Sequence, residues 1–278
     1  MGINWFPGHM NKARREIAKA MRETDVVIEI LDARLPAASQ NPMLRQLRGG
    51  KPCIKVLNKS DLADAKVTQA FMEAFEREKG VLALPLTANR SSEANRLNKL
   101  CRRLVPTRGE VGKPIRAMVV GIPNVGKSTL INSLKGRSVA DVGNKPAVTK
   151  RQQTVELGKF IVVSDTPGVL WPKIEDESDG YRLAATGAIA ANAMDYVQAA
   201  LFALTYLSEH YSKELKARYK LSELPEGAEA LLEAIGSKRG CLTKGVGVDL
   251  YKASELVLNE LRSGKIGKVS MERPPKEK

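Results

Sequence analysis

Two hydrophobic rhythms divide this chain. Up to Trp171, short apolar runs rich in β-branched residues alternate with stretches spaced for one face of a helix; beyond it the spacing is helical almost throughout. Ala13, Ile17 and Met21 stand four apart and predict a helix over 11–24. The run VVIEILDAR (26–34) then has the pattern of a parallel strand buried on both faces, as do CIKVLNK (53–59) and VLALPLTA (81–88). Between the last two lies AFMEAFEREKG (70–80), a helix with Phe71, Met72 and Phe75 inward, and Leu97, Leu100, Cys101 and Leu104 mark another. PTRGEVGKP (106–114) is turn-rich and reads as a linker. Two more buried strands follow, IRAMVVGIP (115–123) and KFIVVSDTPG (159–168), with TVEL (154–157) as an edge strand between them.

Strands alternating with helices predict an α/β fold: a doubly wound, mostly parallel six-stranded sheet. The later segments 181–194, 200–211, 228–236 and 251–262 predict helices only, so a C-terminal all-α domain is expected. The division is placed at 1–175 and 176–278.

Composition narrows the class. Hydrophobic residues make up 43% of the 278, an ordinary globular share. No apolar run approaches the length needed to cross a bilayer, and the first residues lack the apolar core of a secretory signal. A soluble cytoplasmic protein without membrane insertion is expected. Cys53, Cys101 and Cys241 are far apart and odd in number, which argues for buried reduced thiols over disulfides or a zinc site. The net charge of +14 changes the picture more, because such an excess draws a chain towards polyanions. The basic residues cluster at 12–19 and again over 96–116, as well as being spread along the chain.

Gly121-Ile-Pro-Asn-Val-Gly126-Lys127-Ser128 follows one predicted strand and opens a helix running from Thr129 to Leu134. That setting suits a phosphate-binding loop: glycines let backbone N–H groups turn onto phosphate, and the helix N-terminus adds its dipole. Asn124, Val125, Gly126, Lys127, Ser128 and Thr129 are the expected contacts, with Lys127 on the β- and γ-phosphates and Ser128 on Mg²⁺. Asp165-Thr-Pro-Gly168 ends another strand, where Asp165 would hold Mg²⁺ through a water and the Gly168 N–H would meet the γ-phosphate. Thr149 is a loop threonine able to close on the metal, with Thr154 as a rival. Asn58-Lys59-Ser60-Asp61 follows a third strand: Asp61 can accept two hydrogen bonds from guanine that adenine cannot offer, Asn58 braces the loop and the Lys59 stem packs on the base. Thr87-Ala88-Asn89 ends the next strand, with the Ala88 N–H available to the guanine O6. Together these predict GTP and GDP as ligands. For Asp32-Ala33-Arg34, contact with the nucleotide and simple capping of the sheet both stay open.

The order of the motifs is unusual, because the guanine motif at 58–61 precedes the phosphate loop at 121–128. These motifs in this order, with FPGHM near the start and DTPGVLWPK after the sheet, resemble the circularly permuted GTPases of the YlqF type. The resemblance spans nearly the whole chain, including RGCLTKG and RSGKIGK. It implies a cytoplasmic bacterial GTPase that binds the immature large ribosomal subunit and its ribosomal RNA, promotes a late assembly step and leaves after hydrolysis. The helical domain would then bind RNA, and the subunit would stimulate turnover; a monomer is expected. Where small GTPases place a water-orienting Gln, this chain has Val169, and the resemblance implies His9 as the replacement. An exposed histidine in the amino-terminal segment is the plainer reading of His9. Asn124 resembles the asparagine that ligates K⁺ in cation-dependent GTPases, while Ala147 departs from the glycine common in the family. Val169 also favours an alternative, a basic RNA-binding scaffold that binds GTP with little turnover.

Overall fold

The computed structural model describes the backbone of residues 7–87, 91–135, 153–157, 161–166, 174, 176–189, 195–243, 245 and 247–275, and the side chains of all these except 7–13, 91–95, 134–135, 153–157 and 165. The chain divides into two compact units, Asn4–Lys173 with Glu272–Lys278, and Ile174–Met271 with Met1–Ile3.

The first unit runs α1 (Pro7–Arg22), β1 (Val26–Asp32), α2 (Pro42–Arg48), β2 (Cys53–Asn58), α3 (Ala65–Glu76), β3 (Val81–Leu86), α4 (Ser91–Leu104), β4 (Ile115–Val120), α5 (Lys127–Lys135), β5 (Gln153–Leu157) and β6 (Ile161–Asp165). Its six strands lie in the order β3-β2-β1-β4-β6-β5. Five are mutually parallel, and the edge strand β5 runs antiparallel to β6. Every residue of β1 and β2 is buried, as a central strand covered on both faces requires. One face packs on α1, α2 and α3: Ile17, Met21 and Leu44 meet Val27, Cys53, Val81 and Met118, while Val67 and Phe71 meet Leu57 and Ala83. On the other side α4 and α5 pack against each other and against the strands.

Local chemistry sets the helix starts. The Asp64 carboxylate accepts from the N–H groups of Lys66 and Val67 at 2.9 and 3.4 Å and starts α3. Asn41 accepts from Met43 N–H at 3.0 Å, with Pro42 in the first turn, and starts α2. Helix α2 has only seven residues, too few for a periodic signal. The expected linker over 106–114 contains a closed turn in which Glu110 bridges Lys113.

The second unit contains α6 (Glu177–Thr186), α7 (Tyr196–His210), α8 (Ser212–Tyr219), α9 (Ala228–Lys238) and α10 (Leu250–Arg262), with a small hairpin of β7 (Leu242–Thr243) and β8 (Gly247–Val248). Leu183, Leu204, Leu207, Leu232, Ile235, Val257 and Leu258 are buried among these helices. Helix α6 stops earlier than its spacing suggests, because Gly187 takes the left-handed conformation and Arg262 donates to the carbonyls of Ala184 and Ala185. All three cysteines are unpaired and buried, and burial pushes the thiols of Cys53 and Cys101 up to about 12. Among the described residues no helix is long and apolar enough to cross a membrane.

Candidate nucleotide site

Five parallel strands end on one edge, and their register decides what meets there. Asp32 lies opposite Asn58, Asn58 opposite Leu86, Glu29 opposite Val120 and Val119 opposite Asp165. The loops after β1, β2, β3, β4 and β6 therefore leave the sheet side by side. The chain steps from β1 to β2 to β3 in one direction and then returns to place β4 on the other side of β1. Such a reversal of strand order opens a crevice at the carboxyl ends of the strands, where α/β proteins bind ligands. Which loop comes first in the chain is immaterial to this placement.

The loop after β4 is built for close approach. A Cβ on Gly121 would stand 2.5 Å from the Ile30 carbonyl oxygen of the neighbouring strand, so no larger residue fits. Asn124 adopts φ 59°, a left-handed conformation that Asn tolerates better than most residues. Gly126 has φ 97°, and a Cβ there would overlap the Asn58 side-chain amide. Helix α5 begins at Lys127, which directs its first N–H groups and the positive end of its dipole towards the crevice. The Lys127 side chain is buried, and its ammonium donates to the Ile122 carbonyl at 2.7 Å, folded over the loop it belongs to. Ser128 and Thr129 occupy the first turn and are half-buried.

The loop after β2 is tied to this one directly. Asn58 is buried and donates from Nδ2 to the Val125 carbonyl at 2.6 Å, joining two loops 67 residues apart in sequence. Ser60 N–H donates to the Leu86 carbonyl at 3.3 Å, and Thr87 Oγ1 donates to Asp61 Oδ1 at 3.1 Å, so the loop is also pinned to the end of β3. Asp61 itself is exposed at the crevice edge. Lys59 is held at φ 59°, a conformation that costs an L-residue about 1–2 kcal/mol.

Of the two readings open for Asp32–Arg34, the geometry favours capping. Arg34 is 1% exposed and grips Asp32 with two bonds, Nε to Oδ1 at 2.9 Å and Nη2 to Oδ2 at 2.7 Å. The Arg34 N–H adds a third bond to Oδ1 at 3.1 Å, and the Lys59 ammonium reaches Oδ2 at 2.9 Å. Burial alone would push the Asp32 carboxyl up, but the charges of Arg34 and Lys59 outweigh it and hold the carboxyl well below the usual carboxylate range. Sequence reasoning left Asp32 and Arg34 without a single role; the available signal was a pair of opposite charges at the end of a mostly apolar strand.

The structure thus brings together Asn58, Lys59, Ser60, Asp61, Thr87, Asn124, Val125, Gly126, Lys127, Ser128 and Thr129. Ala88, Thr149, Gly168 and Val169 lie outside the described residues, as do the side chains of His9, Thr154 and Asp165. The backbone of β6 ends at Asp165 on the same edge, and the Thr166 hydroxyl donates to the Val119 carbonyl at 2.8 Å. Two linked loops, one shaped for phosphate and one offering a carboxylate at its rim, make this crevice the candidate nucleotide site.

Comparison with known proteins points the same way. A family model described as a 50S ribosome-binding GTPase matches residues 116–228. The chain is 46% identical to ribosome biogenesis GTPase A of Bacillus cereus over 281 residues, covering 99% of this chain and 95% of that one. It is 32% identical to ribosome biogenesis GTPase A of Thermotoga maritima, with coverage of 98% and 95%. Mitochondrial ribosome-associated GTPase 1 of Bos taurus is 33% identical, with coverage of 97% and 88%. Among solved structures, GNP-bound YlqF from T. maritima matches with a TM-score of 0.66 at 29% identity, over 94% of this chain and 98% of that one. A GDP-bound YlqF matches with a TM-score of 0.67 at 27% identity, over 94% and 99%.

Proposed function

This chain belongs to the ribosome biogenesis GTPase A family, and from that premise we propose that it is a switch: GTP-bound it docks on the immature large ribosomal subunit and promotes a late assembly step, and hydrolysis releases it. The observation that carries the reading is the Asn58–Val125 hydrogen bond, which makes the base loop and the phosphate loop one rigid unit despite their permuted order. Such a unit serves a nucleotide that must be gripped at both ends. The net charge of +14 supports ribosomal RNA as the surface met.

In this reading Asp61 and the Ala88 N–H select guanine, and Lys127 with the N–H groups of 124–129 holds the phosphates. The narrow cradle at Gly121 and Gly126 and the buried Lys127 ammonium fit a polyphosphate and its counter-ion. Mg²⁺ would be held by Ser128, by Thr149 and, through a water, by Asp165, where it neutralises charge on the phosphate oxygens. K⁺ at Asn124 belongs to the same proposal. Water attacks the γ-phosphorus, the bond to the β,γ-bridging oxygen breaks with its electron pair going to GDP, and His9 orients the water and takes its proton. Val169 has no group for that task. The protein works as a cytoplasmic monomer, with the second, helical unit contributing to the RNA contact, and the subunit stimulates turnover by placing His9 against the attacking water.

The test is GTP turnover with and without large subunits, in K⁺ and in Na⁺, alongside sedimentation with subunits in the presence of GDP or a non-hydrolysable GTP analogue. Subunit-stimulated, K⁺-favoured turnover and analogue-dependent sedimentation are expected. Equal sedimentation in both nucleotide states, with turnover indifferent to subunits, would establish the basic scaffold that binds GTP structurally.

A further inference from the structure

We propose that Asp32, clamped by Arg34, is a positioning residue for guanine recognition: it fixes the Lys59 ammonium and so holds the lysine stem where the base must lie. The inference rests on the reading of residues 58–61 as the base loop.

Three observations carry it. First, the pair is built not to move. Arg34 is 1% exposed and Asp32 3%, both carboxylate oxygens are engaged by the guanidinium, and the Asp32 N–H donates to Ser39 Oγ at 3.1 Å. The turn that follows is held from outside as well, because the Glu272 carboxylate accepts from the N–H groups of Ala37 and Ala38. Second, a sheet cap needs only Arg34, yet Oδ2 accepts a further bond from Lys59 at 2.9 Å, from a residue on the neighbouring strand's loop. Third, Lys59 sits at φ 59°, a backbone state that an L-residue adopts under constraint, and the ion pair together with the turn from Lys59 carbonyl to Leu62 N–H at 2.9 Å supplies that constraint. Asn58 points into the phosphate loop and Thr87 grips Asp61, so each of the first, second and fourth residues of Asn58-Lys59-Ser60-Asp61 has a separate anchor. The anchor of Lys59 is the one that comes from β1.

Lys59→Met separates the anchor from the stem, since Met keeps an apolar stem to lie on the base and removes the ammonium. GDP and ADP affinities of the full chain are measured by calorimetric titration for wild type, Lys59→Met, Asp32→Asn and the double variant, well below each variant's melting midpoint. Each single variant should weaken GDP roughly tenfold without weakening ADP, lowering the preference for guanine. The double variant should be no weaker than either single one, because both remove the same link. Wild-type GDP affinity in Lys59→Met overturns the proposal whether or not Asp32→Asn folds, and so do losses that multiply in the double variant or that fall equally on ADP. Asp61→Asn is the separate control: undiminished GDP affinity there means that 58–61 is not the base loop, a different failure from that of Asp32.

Discussion

Gly126→Ala probes the joint between the two loops. The glycine has φ 97°, where an alanine is strained by about 1–2 kcal/mol. The new Cβ would overlap Asn58 Nδ2. Asn58 is 3% exposed and its amide donates to the Val125 carbonyl at 2.6 Å, so it relieves the overlap only by giving up that bond. Losing a buried hydrogen bond and leaving its partners unsatisfied costs about 1–3 kcal/mol. The total of about 2–5 kcal/mol divides between folding stability and nucleotide binding. Calorimetric titration with GDP should show a loss on the order of 100-fold, and thermal melting should show a lower midpoint. Gly49→Ala is the internal control, because Gly49 has φ 57° but nothing within 4 Å of its Cβ. It should lower the melting midpoint by backbone strain alone and leave GDP affinity unchanged. Asn58→Ala added to Gly126→Ala should cost little more, since the amide has already been displaced. If Gly126→Ala bound GDP no worse than Gly49→Ala does, the two loops would not be coupled through Asn58 and the argument would fail.

Lys127→Ala and Ser128→Ala should abolish Mg²⁺-dependent GTP turnover in a phosphate-release assay. Ser128→Ala should melt close to wild type, whereas Lys127→Ala, which leaves the Ile122 carbonyl without its buried donor, should lose about 1–3 kcal/mol of stability; a large loss of stability in Ser128→Ala would assign it a structural role instead. Thr87→Val removes the hydroxyl that donates to Asp61 at 3.1 Å, and GDP affinity should fall by about 0.5–1.5 kcal/mol, whereas an unchanged titration would mean that Asp61 needs no brace. The carboxyl of Asp32 is held below its ordinary value in the folded chain, so its contribution to stability is full above the unfolded value of about 4 and is lost as pH falls from there through the folded value. Urea unfolding of wild type and Asp32→Asn should therefore show a constant gap from pH 8 to about pH 5 that closes in more acid solution; a gap that closed between pH 8 and 6 would contradict the ion pair.

The sheet was legible because its central strands β1 and β2 are buried along their whole length and so appear as apolar runs interrupted by a single charge each, Glu29 and Lys55. All six strands lie where the sequence placed them; β1 to β4 and β6 end one to three residues early, since Ala33, Lys59 and Thr87 already belong to the loops, and β5 ends at Leu157 as expected. Helix α2 was not legible, because its position depends on the Asn41 cap and Pro42 more than on periodicity. Helix α8 was hidden for a related reason: its eight residues bury only Leu215 and Tyr219. The early stop of α6 depends on Arg262, far along the chain, bonding to the last carbonyls. Gly187 was the local sign of that stop, but the Arg262 bonds are not contained in residues 177–194.

The candidate phosphate and base loops could be picked out of the sequence because each is local, with its chemistry carried by a few consecutive residues. What joins them is not local. The Asn58 bond to Val125 spans 67 residues, and its existence depends on β2 and β4 flanking β1 in the sheet. Permutation leaves that arrangement intact, because a strand's neighbours are set by pairing and not by the order of synthesis. The same argument explains why the role of Asp32 stayed open in the sequence. It stands at the end of β1, where a carboxylate can either meet the nucleotide or cap the sheet. In the folded chain it is 3% exposed, with Arg34 of its own turn and Lys59 of the next strand's loop closing over it. A buried charge is tolerated there only because two cations reach it, and one of the two arrives through the sheet. The base loop thus depends on the central strand twice, through Asn58 across it to the phosphate loop and through Lys59 directly onto its end.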